Sequence, residues 1–223
     1  EPYVSRNVMT FQTGWTDFEV GRNYPVDSAA LASIKTTAAA VLEEVRRRDT
    51  SKSSIIRDRK RWVEDYVTRR NAGIQRVLEA KWDAKPISAE RIAVELDRQM
   101  DKKALVVNEL LTSEGVVRDY IPFDHTKDIT ERRRNYDTTA GILGWGIGAA
   151  IGVQIGNPDR ETWCLSADGS ANFGIQSLWS AARYDVPIGI VVFNNGHYQA
   201  NRLNFSRYRG RMYETNQYVG VNL

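Results

Sequence analysis

Cysteine is nearly absent: Cys164 stands alone among 223 residues. No internal disulfide can form, and a lone thiol inside an apolar run fits a reducing, cytoplasmic compartment. Histidine is almost as scarce. His125 lies in a polar loop sequence and His197 follows an Asn-Asn-Gly turn, and neither sits in a pattern that marks an acid–base catalyst. No apolar run approaches the length that crosses a bilayer, and Glu1-Pro2-Tyr3 does not open a signal peptide. A membrane partner is therefore not expected. Internal repeats and low-complexity tracts are missing too. An excess of one charge sign is also lacking, since 31 basic and 28 acidic residues leave a net +3. The basic residues are interleaved with acids, as in RDRKRWVEDYVTRR, and residues 132–134 have no stacking platform or reading helix beside them, so a solvated face is expected there and no nucleic acid. A hydrophobic content of 42% is ordinary for a soluble globular chain with a sizeable core. The first residue is not Met and the pattern starts midway, so the chain is expected to be a portion of a larger protein.

From residue 23, NYPVDSAALASIKTTAAAVLEEVRRR reads as an extended lead, an N-cap at Asp27 or Ser28, and an Ala-rich helix whose basic end suits its dipole. Residues 49–85 are charged, with helical spacing at Trp62, Tyr66, Val67, Ile74, Val77 and Leu78, and read as a linker helix on a surface. Pro86 opens a new unit. There Ser88 can cap a helix with Ile92, Leu96 and Met100 on one face, and residues 104–108 form a buried strand. That strand runs into Glu109, then Thr112 and Ser113. The glycines at 141, 144, 146, 148 and 152 formally include a dinucleotide fingerprint, but the polar stretch ITERRRNYDTTA precedes them where a strand is required. Small residues here fit a helix pressed close against a sheet and a ligand.

The most informative stretch is DGSANFGIQSLWSAARYDVPIGIVVFNNGHY, residues 168–198. Short apolar runs precede both the Asp-Gly-Ser turn and the Asn-Asn pair, and the segment between spaces Ile175, Leu178, Trp179 and Ala182 as a helix. A right-handed strand–helix–strand unit brings both strand ends to one edge of a parallel sheet, where ligands bind. Asp168 and Asn195 would then face each other. One carboxylate oxygen, one amide oxygen and a loop carbonyl suit Mg²⁺ and leave room for diphosphate oxygens. Gly169 allows close backbone approach, and the Ser170 N–H is suited to an anion. Either dipeptide alone reads more readily as an ordinary turn or strand end than as a metal site.

Taken together with GILGWGIGAAIGVQIGNPDR at residues 141–160, these motifs resemble the thiamin-diphosphate-dependent enzymes, in particular benzoylformate decarboxylase and acetolactate synthase. The resemblance is dense over residues 106–198. It implies an α/β fold, a parallel-sheet thiamin-diphosphate-binding domain with helices on both faces, preceded by the tail of a second α/β domain. The implied boundaries are 1–49 for the end of a central domain, 50–85 for a linker helix region and 86–223 for the cofactor domain, incomplete at its C-terminus. It further implies a decarboxylase or carboligase acting on a 2-oxo acid, with thiamin diphosphate and Mg²⁺ (or Ca²⁺) as cofactors and FAD left open. By position, Leu143 props the cofactor into a V shape and the Gly141 carbonyl meets its aminopyrimidine. Thr112, Ser113, Gly169, Ser170, Asn195, His197 and Tyr198 surround the cofactor, while Asp168, Asn195 and the His197 carbonyl hold the metal. Asp137, Asn201 and Asn204 fall where relatives line the substrate pocket with apolar groups, with Leu203 or Phe205 as alternatives if the turn is shifted. Ala167 replaces the first glycine of the signature, which is harmless only if its φ is negative. The proton-relay glutamate of the resembled enzymes lies on another domain, contributed by a neighbouring subunit. A homodimer or homotetramer, or a companion chain carrying that domain, is therefore implied, and this chain alone would be inactive. The alternative reading is a non-catalytic cofactor-binding or assembly fragment.

Overall fold

A computed structural model of the chain describes residues 7–48, 53–124, 127–138, 141–207 and 215. His125 lies outside the described residues. The chain divides into two units, residues 1–70 and 71–223, whereas the sequence set its divisions at 49 and 85.

In the first unit, strands β1 (Phe11–Gly14) and β2 (Ser28–Leu31) pair in parallel, with Phe11 opposite Ser28. Helix α1 (Ile34–Arg47) follows, capped by the Ser33 hydroxyl, which accepts the Thr36 N–H at 3.1 Å. The expected cap at Asp27 or Ser28 is therefore corrected. Ser28 is taken up by strand pairing, and the Asp27 carboxylate instead accepts the Thr10 N–H at 2.7 Å, which lowers the Asp27 pKa. Helix α2 (Ser54–Lys81) matches the charged segment read as a linker helix, with Trp62 and Tyr66 stacked and exposed along it.

The second unit is built on a parallel sheet of order β4-β3-β5-β6. Its strands are β3 (Leu105–Glu109), β4 (Arg134–Asp137), β5 (Thr162–Ala167) and β6 (Gly189–Phe193). Helix α3 (Ala89–Gln99) is capped by Ser88, as its sequence requires. With α4 (Glu114–Tyr120) it covers one face, packing Ala93, Leu96, Met100 and Val117 against Val106 and Leu165. Helix α5 (Trp145–Gly156) covers the other, where Ile147 and Ala150 meet Val107 and Cys164. Neighbouring residues of one strand thus serve opposite faces, which is why β3 is apolar at every core position rather than alternating. Each fully buried Val or Leu here contributes roughly 1.5–3 kcal/mol. Burial, together with the charge of Glu109, pushes the Cys164 thiol up to about 12, so Cys164 is a packing residue.

Two local expectations change. The single helix expected after Asp168 is divided into α6 (Asp168–Gly174) and α7 (Ser177–Arg183). Gly174 lies so close to the Gly144 carbonyl that no Cβ fits, and the chain passes through a tight turn in which the Leu178 N–H reaches Ile175 O at 3.0 Å. The apolar side of this segment, with Ile175 and Trp179, stays exposed, while Ala171, Gly174 and Ala181 are buried. The basic run at 132–134 is not a solvated face either. Arg133 is 4% exposed, its guanidinium donating to Asp97 Oδ1 at 2.5 Å and to the Met100 and Asp101 carbonyls at 3.1 and 3.2 Å, while Arg134 stacks over Tyr136. Those acceptors gather at the end of α3, a long-range arrangement invisible in a local charge pattern.

Removing one member of a buried pair leaves the other uncompensated, at about 3–5 kcal/mol. Asp97 retains partial solvent access, so Arg133→Ala is expected to destabilise the second unit by about 3 kcal/mol in guanidinium unfolding, and Arg134→Ala by under about 1 kcal/mol.

Candidate functional site

The strand order sets the position of the site. From β3 the chain crosses to β4 on one side and then to β5 on the other, so the C-terminal ends of β3 and β5 form a switch point, the usual place for a ligand in an open α/β sheet. A cleft opens there. It is lined by Leu111 and Thr112 after β3, Leu143 before α5, residues 167–170 after β5, and Asn195 with residues 197–201 after β6.

Ala167 and Phe193 are register partners, so β5 and β6 end level and their following turns emerge side by side. The Asp168 carboxylate joins them. Its Oδ1 accepts the Gly169 N–H at 2.9 Å, and its Oδ2 accepts the N–H groups of Asn195 at 3.2 Å and Gly196 at 2.7 Å. Gly196 has φ +68°, a left-handed conformation that glycine adopts without strain and that aims its N–H at Asp168. The Asn195 amide oxygen accepts the His197 N–H at 2.9 Å. Asp168 Oδ1 and the Asn195 amide oxygen each have a lone pair left for a metal, whereas Oδ2 is filled by its two donors. Ala167 has φ −83°, so alanine stands at the signature's first glycine position without strain.

The cleft wall carries one carboxylate, Asp168, and no lysine or arginine among its described residues. A diphosphate would face that negative charge with no basic side chain among the described lining residues to offset it, and a divalent cation between them would balance the charge. The donor set of carboxylate and amide oxygens suits Mg²⁺. Among the described residues, no three His, Cys, Asp or Glu side chains gather into a complete metal cage, and phosphate oxygens would complete the shell.

The other sequence candidates fall as follows. Thr112, Leu143, Gly169, Ser170, His197, Tyr198 and Asn201 all line the cleft. Ser170 is buried and its hydroxyl donates to the Glu109 carbonyl at 3.4 Å, so only its N–H is free for an anion. The His197 Nδ1 is buried without a hydrogen-bond partner. Gly141 has φ +64° and open space around its Cα. Ser113 caps the start of α4 without a side-chain bond and is not part of the cleft wall, which leaves Thr112 as the hydroxyl facing it. Asn204 is exposed on helix α8 (Gln199–Arg207), and neither Leu203 nor Phe205 lines the cleft. Asp137 ends β4 outside the cleft wall, where its Oδ2 accepts the Asn135 amide at 2.6 Å and lies 3.6 Å from Arg118, while its Oδ1 is buried without a partner. The sequence reading passed over Gly196 and Glu109. A glycine after Asn-Asn signals a turn, so the Gly196 role was available; no local signal marks Glu109 as more than a strand end.

Residues 122–221 match the family of the thiamine pyrophosphate enzyme, C-terminal TPP binding domain. Over 117 residues the chain is 33% identical to benzoylformate decarboxylase of Pseudomonas aeruginosa, covering 52% of this chain and 21% of that protein. Over 92 residues it is 30% identical to acetolactate synthase of Arthrospira platensis, covering 40% of this chain and 15% of that protein. The solved thiamine diphosphate-dependent 4-hydroxybenzoylformate decarboxylase of Rhodococcus jostii RHA1 superimposes with a TM-score of 0.51 at 32% identity, over 61% of this chain and 24% of its own. Benzoylformate decarboxylase from Polynucleobacter necessarius shares the fold, with a TM-score of 0.50 at 22% identity. The chain thus spans under a third of the length of these relatives. The α/β fold, the four-stranded parallel sheet and these matches agree: residues 122–221 carry the C-terminal cofactor-binding domain of the thiamin-diphosphate-dependent enzymes.

Proposed function

We propose that the chain supplies the diphosphate- and metal-holding half of a thiamin-diphosphate- and Mg²⁺-dependent decarboxylase or carboligase acting on a 2-oxo acid. The observation that carries this reading is a cleft at the sheet switch point whose wall joins Asp168 to Asn195 and Gly196 and, among the described residues, offers no lysine or arginine to a diphosphate. Asp168, the Asn195 amide oxygen and the His197 carbonyl would hold the metal. The Gly169 and Ser170 main chain, the Thr112 hydroxyl and Tyr198 would hold the diphosphate end, with Leu143 and the Gly141 carbonyl against the rest of the cofactor. When bound, thiamin diphosphate supplies an electron sink for cleaving or forming the bond to the 2-oxo carbon; the protein holds it and excludes water.

The relatives named as decarboxylases and as acetolactate synthases support both reaction types. The complementary domain, with a proton-relay glutamate, comes from a homodimer or homotetramer mate or from a companion chain in the cytoplasm, and the exposed apolar side of α6 and α7 accords with such a partner. A cofactor-binding or assembly subunit without turnover is the second reading, which accords with a cleft wall whose described titratable side chains are Asp168, His197 and Tyr198 alone. The substrate is a hydroxylated or small 2-oxo acid rather than an unsubstituted aryl glyoxylate. Asn201, exposed in the cleft wall, supports this by offering its amide to a polar group of the substrate.

With the protein assembled, Asp168→Ala is expected to weaken thiamin diphosphate binding in the presence of Mg²⁺ by at least about tenfold in calorimetric titration, while Cys164→Ser alters stability and leaves affinity near the parent's. Unchanged affinity in the Asp168 variant would reject the metal assignment. For the substrate, kcat/KM is expected to be higher for pyruvate or a hydroxylated 2-oxo acid than for benzoylformate. The reverse order rejects the polar-pocket reading, and no turnover of any 2-oxo acid by the assembled, cofactor-loaded protein favours the second reading.

A further inference from the structure

Glu109 is the last residue of β3 and is 2% exposed. A carboxylate so buried is costly unless it is paired, yet among the described residues it has no ion-pair partner. Its Oε2 accepts the Ser166 hydroxyl at 3.0 Å, while its Oε1 is buried with no hydrogen-bond partner. Its main-chain carbonyl accepts the Ser170 hydroxyl at 3.4 Å. On the other side lies α5. A Cβ added at Gly146 would sit 2.8 Å from Glu109 Oε2 and 2.9 Å from Glu109 Cβ, so the first turn of α5 rests directly on this side chain. That turn has no acidic residue of its own and no side-chain cap, and Glu109 places a negative group at the positive end of the helix.

Ser166 and Ser170 bracket Asp168, and Gly146 follows Leu143 by three positions. From this we infer that Glu109 is a positioning residue for the site: its carboxylate, bonded to Ser166 and packed on Gly146, and its main-chain carbonyl, bonded to Ser170, fix the Asp168 turn against the loop carrying Gly141 and Leu143, and thereby set the affinity for the metal–diphosphate group without touching it. The inference rests on reading the cleft as the thiamin diphosphate site. A side chain kept only for packing would do better as an apolar residue of similar volume, which in buried positions is commonly neutral or stabilising.

The test is a double-mutant cycle on the full-length assembled protein, using Glu109→Gln and Gly146→Ala, with thiamin diphosphate affinity by calorimetry at saturating Mg²⁺ and Tm of the cofactor-free protein as separate readouts. Glu109→Gln keeps the volume and the Ser166 bond but turns an amide toward α5; Gly146→Ala displaces the carboxylate. Each is expected to raise Kd about tenfold, and the double variant no further than the worse single, because both act through one contact. Glu109→Gln is also expected to keep its Tm within a few degrees of the parent's. Additive losses, or a lowered Tm with parental affinity, overturn the inference while leaving the cleft assignment intact. A parent that takes up no cofactor overturns both.

Discussion

The Asp168 carboxylate is the group on which the site depends, because it accepts N–H groups from its own turn and from the turn after β6. Two segments far apart in sequence are thereby fixed at hydrogen-bond distance by one charged side chain, and charge-assisted bonds of this kind are about twice as strong as neutral ones. The alignment has its origin in the register of β5 with β6, which brings Ala167 opposite Phe193. A slip of one residue would turn every side chain of β6 to the other face and carry Asn195 away from Asp168. The core therefore does more than stabilise the sheet. Burial of Leu165 and Phe193 on the face covered by α3 and α4, and of Cys164 on the face covered by α5, holds the register that makes the site.

Close packing at the top of the sheet transmits that order to the remaining cleft wall. Gly144, at φ +89°, and Gly174 let the start of α5 and the end of α6 meet backbone to backbone, so the loop bearing Leu143 is set directly against the helix that begins at Asp168. Gly146 does the same against Glu109. Small residues here are a geometric requirement of three elements converging on one cleft. The polar stretch before the glycines, read as lacking a strand, does contain β4 (Arg134–Asp137), so the dinucleotide reading fails instead because the first turn of α5 is packed against Glu109.

Much of this was legible from residue order. Strands β3, β5 and β6 announce themselves as short apolar runs ended by turn residues, Ser88 as a cap, and the Asp168-to-Asn195 spacing as a crossover unit, because each depends on local chemistry. What was missed depends on contacts distant in sequence. Ser28 carries a good cap residue's side chain but is claimed by pairing with β1, leaving Ser33 to cap α1. Arg133 looks like one member of a solvated triplet, and only the fold gathers Asp97, Met100 and Asp101 around it. Glu109 looks like the end of a strand, and its burial beneath α5 appears only when the helix is in place. Asp137 was expected in the substrate pocket but ends β4, a strand its polar sequence does not announce, where Asn135 and Arg118 engage it outside the cleft wall.

The central claim, that Asp168 and Asn195 together hold a divalent cation bridging to diphosphate, is tested most directly by diffraction. Crystals of the assembled protein grown with thiamin diphosphate and Mn²⁺ in place of Mg²⁺ would locate the metal by its anomalous signal. The account predicts one peak in the cleft at the C-terminal ends of β5 and β6, within about 2.0–2.3 Å of an Asp168 carboxylate oxygen and the Asn195 amide oxygen, with diphosphate oxygens completing the shell. A metal peak elsewhere, or bound cofactor with its diphosphate away from Asp168, would contradict it.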